Sequence, residues 1–288
     1  MAWLLLRRVG LVNHLTMGNE MPSIKNLSRH LAAAVITMAA TCSAAIAGPI
    51  LYIDDVDGKL GTVDVATGAV TVIGDTGQDL VDIAFDPSGK LYGITFGQLF
   101  SINKATAAAT LIGSLGASLN SLVFGADGTL YAANSGLYKI DVNTGAASLV
   151  PTTGDNPTPY VSAGDLAFVS GQLYLTSSVN NSLVTVDPAN GKGSNVGGIG
   201  FANVYGLASS DNINLFGIAG TTVLSINTTT GAGTALVNYS GKGLGAANGA
   251  AFLSEAGAEE PNPVPEPASF ALLGLGLAGI AAARRRTS

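Results

Sequence analysis

Between Ile50 and Phe252 the hydrophobic positions recur on two scales at once. On the short scale, apolar and polar side chains alternate in Thr62-Val63-Asp64-Val65, Phe100-Ser101-Ile102-Asn103, Tyr138-Lys139-Ile140-Asp141, Val184-Thr185-Val186-Asp187 and Leu224-Ser225-Ile226-Asn227. A period of two places one side of an extended strand on a core and the other in water. On the long scale, a Leu-aromatic pair precedes each of these strands: Leu51-Tyr52, Leu91-Tyr92, Leu130-Tyr131, Leu173-Tyr174 and Leu215-Phe216, at intervals of 40, 39, 43 and 42 residues. Turns follow most of the alternating strands, at Ala66-Thr67-Gly68, Asn143-Thr144-Gly145, Ala189-Asn190-Gly191 and Thr229-Thr230-Gly231. A third strand comes next, as at 70–73 and 110–112. A fourth, the most apolar, closes each unit: Ile83-Ala84-Phe85, Leu122-Val123-Phe124, Leu166-Ala167-Phe168, Leu207-Ala208 and Ala250-Ala251-Phe252.

Four short strands in about forty residues is the size of a β-propeller blade. One blade cannot bury both of its faces, whereas a closed ring of blades buries all of them. The expected fold is therefore all-β, a propeller of about five four-stranded blades over residues 48–254. A six-bladed ring with one degenerate blade and a β-sandwich are the alternatives. The register also predicts how the ring shuts. The chain starts on the second strand of a blade at Leu51 and ends on an innermost strand at Phe252, so the last strand should complete the first blade.

Composition narrows the chemistry. Glycine supplies 38 of 288 residues, about 13% against a usual 7%, as many tight turns require. From Gly48 to Pro263, fourteen Asp and three Glu face six Lys and no Arg, a net charge of −11. Such a surface repels nucleic acid, so no nucleic-acid partner is expected. Cys42, His14, His30 and Trp3 all lie before Gly48. Downstream there is no disulfide framework, no nucleophile–His pair and no Arg clamp for phosphate. No catalytic residue and no cofactor are expected, with Ca²⁺ as the one metal to consider.

Two constellations are candidates for binding. Asp54, Asp55 and Asp57, followed by Gly58, crowd hard oxygen ligands into one turn, a possible Ca²⁺ loop. The spacing and distal Glu of a full calcium loop are missing, which favours a solvated Asp-Gly turn over a metal loop. Aligning the innermost strands brings Asp82, Ser121, Asp165, Gly206 and Gly249 into one ring, with Val81, Asn120, Gly164, Tyr205 and Asn248 one residue earlier. The polar members Asp82, Asn120, Asp165, Tyr205 and Asn248 are a candidate ligand rim around the axis, suited to a sugar or a cation; residues that simply cap turns and line a wet channel are the plainer reading of the same ring. Asp64, Asp141 and Asp187, each just before a turn, read as turn formers.

The two ends carry sorting information. Residues 1–47 read as a signal peptide for Sec export, with Lys25, Arg29 and His30 as its basic region, an apolar run over 31–40 and Ala45-Ile46-Ala47 as the cleavage site. The true start is then Met17 or Met21. Residues 255–263 form a Pro-rich acidic linker. Residues 264–288 begin with Val264-Pro265-Glu266-Pro267, continue as one uncharged run and end in Arg284-Arg285-Arg286. As a helix, 268–283 spans roughly 24 Å, a short transmembrane segment whose arginines stay cytoplasmic.

That tail resembles the PEP-CTERM signal of Gram-negative bacteria. The resemblance implies an exosortase-like membrane protease as partner, transient anchoring in the inner membrane and delivery to the cell surface or extracellular matrix. Similar proteins are associated with exopolysaccharide and biofilm, which makes exopolysaccharide or surface proteins the expected partners. The repeat, Leu-Tyr…Ile-Asp…Thr-Gly…Ala-Phe, resembles NHL-like and quinoprotein-like propellers and implies a fold without an activity. The leading expectation is an exported, non-enzymatic propeller. The alternative is an extracellular propeller hydrolase or lyase acting on carbohydrate or lactone, with Asp residues and Ca²⁺.

Overall fold

The computed structural model describes residues 48–257 apart from 153 and 157. The expected signal peptide, the expected linker beyond Gly257 and the sorting segment lie outside the described residues. Twenty strands form five antiparallel four-stranded sheets. Blade two is β4 (Asp82–Phe85), β5 (Leu91–Ile94), β6 (Gln98–Ile102) and β7 (Ala109–Ser114). Blade three is β8 (Ser121–Phe124), β9 (Leu130–Ala133), β10 (Leu137–Ile140) and β11 (Ala147–Leu149). Blade four is β12 (Ser162–Val169), β13 (Gln172–Ser177), β14 (Ser182–Val186) and β15 (Gly193–Gly198). Blade five is β16 (Val204–Ser209), β17 (Leu215–Ala219), β18 (Thr222–Ile226) and β19 (Gly233–Asn238).

Blade one is made from both ends of the repeat region. Strands β1 (Ile50–Asp55), β2 (Lys59–Asp64) and β3 (Val70–Asp75) are joined by β20 (Ala247–Phe252), in the order β20-β1-β2-β3. Leu51 faces Val63 on one side and Phe252 on the other. The inner strands β4, β8, β12, β16 and β20 contact one another in a closed circle. The five-bladed, end-joined ring expected from the register is what forms.

The core is five clusters, each between neighbouring blades. Blades one and two enclose Leu60, Ile83, Phe85, Leu91 and Phe100; blades five and one enclose Leu51, Phe216, Val223, Tyr239 and Phe252. The two aromatic markers of the repeat are halves of one contact. Tyr52 meets Phe85 edge-on with ring centroids 4.9 Å apart, and Tyr92–Phe124, Tyr131–Phe168 and Phe216–Phe252 repeat the pairing at 5.2, 5.8 and 5.3 Å. Each aromatic pair adds about 0.5–1.5 kcal/mol beyond the area it buries. Between blades four and five Tyr174 lacks this partner, because Ser209 stands where the other blades place Phe.

The turns repeat as well. Asp64, Asn103, Asp141, Asp187 and Asn227 occupy one position in the five blades. Each accepts, through its side-chain oxygen, the N–H two residues ahead. Blade two lacks the glycine of this turn, and Ala107 takes the left-handed conformation there at φ 64°. At the rim, four outer strands carry a bulge where they pair inward. The fifth, β11, has only three residues. Bulged or short edges resist sheet-to-sheet aggregation.

Candidate functional site

The expected ligand rim splits into two layers. Asp82 and Asp165 lie in the lower layer, fully buried at 0% exposure. There the inner strands turn five equivalent backbone N–H groups toward the axis. Asp82 Oδ1 accepts the N–H of Ile83 (2.7 Å) and Oδ2 that of Leu122 (2.5 Å). Asp165 Oδ1 accepts from Leu166 (2.6 Å), and Oδ2 from Leu207 (2.6 Å) and Ala250 (3.3 Å). Two carboxyls thus serve one N–H from every blade. The remaining ring positions are Ser121, Gly206 and Gly249, and their small size has a reason at Gly249. A Cβ there would collide with Asp82 Oδ1 and lie 2.9 Å from Asp54 Oδ1.

This hub is acidic and holds protons. Burial, then the charge of Asp165, pushes Asp82 well above the usual carboxylate range; burial does the same to Asp165. Two carboxyls buried this close to one another resist being charged together. Asp54 stands beside them, 1% exposed, with neither oxygen in a hydrogen bond. Burial lifts it to about 7, against a weaker opposing pull from the nearby N–H groups of Asp54 and Gly249. Glu255, half-buried beyond the end of β20, is also raised well above its usual range by burial and then by Asp165.

The upper layer is the mouth of the axis. Val81, Asn120, Gly164, Tyr205 and Asn248, one residue from each blade, line an open depression of about 230 Å³ together with Ala163 and Phe96. Asn120, Tyr205 and Asn248 of the expected rim meet here. Asp82 and Asp165 do not. Asn120 Nδ2 donates to the carbonyl of Ser162 (3.1 Å), which leaves its Oδ1 buried without a partner. Asn248 Nδ2 donates to the carbonyl of Leu80 (2.9 Å). Phe96 is 58% exposed and Tyr205 38%. Phe96 comes from the β5–β6 turn, outside the repeat alignment, and sequence comparison of the blades passes over it.

The three carboxylates considered for Ca²⁺ serve three different partners. Asp54 points into the hub. Asp55 is a turn brace: Oδ1 accepts from Asp57 N (3.0 Å) and Lys59 N (2.9 Å), and Oδ2 from Gly245 N (2.7 Å) across the ring closure. Asp57 pairs with Lys59 Nζ at 3.6 Å on the surface. Among the described residues no group of three or more His, Cys, Asp or Glu side chains is arranged to hold a metal ion.

At the opposite end of the axis lies a second cleft of about 360 Å³, whose walls include Asp127, Tyr131, Phe168, Asn212, Ser254 and Glu255. One wall is a strap that follows β20. Ser254 Oγ donates to the carbonyl of Ser210, Glu255 Oε1 accepts from Ser209 N (3.3 Å), and Ala256 packs into the cluster of blades two and three. Glu255 and Ala256, assigned to the linker on composition, thus belong to the folded ring.

Residues 263–286 match the PEP-CTERM protein-sorting motif. No curated protein matches the chain. Solved structures resemble the propeller at low identity. A protein of unknown function from Bacteroides thetaiotaomicron is 14% identical with a TM-score of 0.47; the match covers 67% of this chain and 58% of that one. A chain of the nidogen/laminin complex is 11% identical with a TM-score of 0.50, covering 72% of this chain and 98% of its own. Virginiamycin B lyase from Staphylococcus aureus is 13% identical with a TM-score of 0.38, covering 60% and 61%. At such identities the likeness concerns fold alone. The chain is thus a five-bladed β-propeller carrying a PEP-CTERM sorting motif, which implies exosortase processing, export and membrane anchoring at the C-terminus.

Proposed function

We propose that the protein is a non-enzymatic binding scaffold, displayed on the cell surface or in the extracellular matrix, that holds exopolysaccharide or a surface protein at the axial mouth. The observation that carries this reading is the division of labour along the axis. The carboxyls best placed for acid–base chemistry, Asp82 and Asp165, are occupied by backbone N–H groups and closed off from solvent. What faces outward is an uncharged cup of aromatic and amide side chains. Ligand sites of this kind combine apolar walls with a few polar groups. The sorting motif supports an exported address, and surface polymers are the ligands this reading assigns to that address.

Co-sedimentation of the full chain with polysaccharide stripped from the producing cells tests the reading. The scaffold pellets with the polymer and leaves its chain length unchanged. Shortening of the polymer, abolished by EDTA, would replace the scaffold with the hydrolase or lyase.

A further inference from the structure

We infer that the mouth recognises one uncharged sugar ring of a longer glycan, held through its hydroxyl donors and its apolar face. The inference rests on the scaffold reading and adds the ligand class. Charge comes first. No ionisable acid or base stands among Val81, Phe96, Asn120, Ala163, Gly164, Tyr205 and Asn248 apart from the Tyr205 phenol. One residue below lie the carboxyls of Asp82 and Asp165, inside a propeller with a large excess of acids over lysines. An anionic sugar would face that field without a cation to meet it. A cationic one would find no exposed carboxylate on the walls, since the hub oxygens are already engaged.

Hydrogen-bond polarity comes next. Both asparagines turn their NH₂ groups to backbone carbonyls, Asn120 to Ser162 and Asn248 to Leu80. A carbonyl partner fixes which end of each amide faces it, so each amide oxygen is left as an acceptor. Asn120 Oδ1 is sealed within the wall, whereas Asn248 Oδ1 is not sealed and lies on the cup as an acceptor. That acceptor suits a donor such as a sugar hydroxyl. Shape completes the case. Phe96 and Tyr205 offer two exposed rings, suited to the C–H face of a pyranose. Gly164 lets Tyr205 in: a Cβ there would lie 2.8 Å from the Tyr205 carbonyl oxygen and 3.1 Å from its Cβ. At about 230 Å³ the cup is smaller than the ~300–1,000 Å³ of sites that enclose drug-sized ligands. It accommodates one ring while the polymer continues into solvent.

Saturation-transfer NMR on the full chain in detergent tests this with neutral trisaccharides of glucose, galactose, mannose and N-acetylglucosamine, and with a trimer of glucuronate. At least one neutral trisaccharide is expected to bind, and the glucuronate trimer to give no signal. Phe96→Ala, at an exposed position that does not support the fold, should weaken the neutral ligand at least tenfold. Asn120→Asp, which puts a charge beside the ring, should weaken it as well. Binding of the glucuronate trimer as tight as the neutral one, no neutral binding at all, or an unchanged Phe96→Ala variant would overturn the inference. Co-sedimentation with native polysaccharide separates the two readings. If wild type and Phe96→Ala pellet equally, the scaffold stands and the mouth is not its site; if neither pellets, the polysaccharide-binding reading falls too.

Discussion

Asp82 and Asp165, buried together at the propeller axis, between them accept one inner-strand N–H from each of the five blades. The relationship ties the ring at its centre, where neighbouring sheets have no ladder between them. It also explains why Asp occupies only two of the five equivalent positions. A third carboxyl at Gly249 has no room, and two already saturate the donors.

The two aspartates should respond differently to amidation. Asp165 accepts three backbone N–H groups, from Leu166, Leu207 and Ala250, and Asp82 two, from Ile83 and Leu122. In either Asp→Asn variant an NH₂ group faces backbone donors, and each buried N–H left unpaired costs about 1–3 kcal/mol. Asp82→Asn disturbs the smaller set, so its loss is smaller. Denaturant unfolding should rank wild type above Asp82→Asn above Asp165→Asn. Equal stability of the two variants would contradict the unequal share of backbone donors.

Stability should fall as pH rises. Asp54, Asp82, Asp165 and Glu255 all have folded-state pKa values above the unfolded one. The folded state therefore binds more protons, and the contribution is complete below the unfolded value near 4 and lost as pH climbs through the raised one. For Asp54 that window runs from the ordinary value of 3.8 to about 7, with a slope of up to about 1.4 kcal/mol per pH unit for each group. Asp127 and Asp211 are lowered and exposed, and they act only at more acidic pH. Thermal melts should give a higher Tm at pH 5 than at pH 8. A Tm that increases over that range would count against the buried proton.

Much of this architecture was legible in the sequence, because a ring of identical tasks writes the same residues five times. Leu51-Tyr52 and Ala84-Phe85 stand out by recurrence, and the register of Leu51 and Phe252 announces the closure. The proposed site at the axis is written once, and recurrence cannot flag it. Phe96 sits in a single turn with no counterpart in other blades. Asp82 and Asp165 looked like rim residues because the alignment locates a position around the ring, whereas one residue along a strand decides between mouth and hub. Asp54 and Asp55, neighbours in one acidic run, face opposite ways for the same reason: successive side chains on a strand alternate.

The closing strand should carry a large share of stability. Phe252 is fully buried, packs against Phe216 at a tilt with ring centroids 5.3 Å apart and lies opposite Leu51. Phe252→Ala removes a core ring, which typically costs about 3–5 kcal/mol, and should also loosen β1. Hydrogen exchange should show faster exchange at Leu51 and Ile53 than at Leu122 and Val123 in this variant. A uniform change across all blades would contradict a closure made by β20.

The geometry predicts that the mouth faces away from the membrane while the tail is anchored. The chain leaves the ring at Gly257, on the strap end of the axis, and the sorting motif begins at 263. Eleven Cα steps from Gly257 to the apolar run at Ala268 reach at most about 40 Å, a short tether that favours the strap end toward the bilayer. Cys42 is the chain's only cysteine, and a Cys42→Ser background allows single labels at Phe96→Cys on the mouth and Ile213→Cys near the strap. In membranes a bulky impermeant maleimide should label the mouth faster. In detergent the rates should converge, and equal rates in membranes would contradict the orientation.

The intact mass of the native protein recovered from the polysaccharide matrix bears most directly on the account. A chain that begins near Gly48, lacks the segment after Pro267 and travels with the polymer is the predicted result. An uncut chain confined to the inner membrane, with none in the matrix, would contradict it.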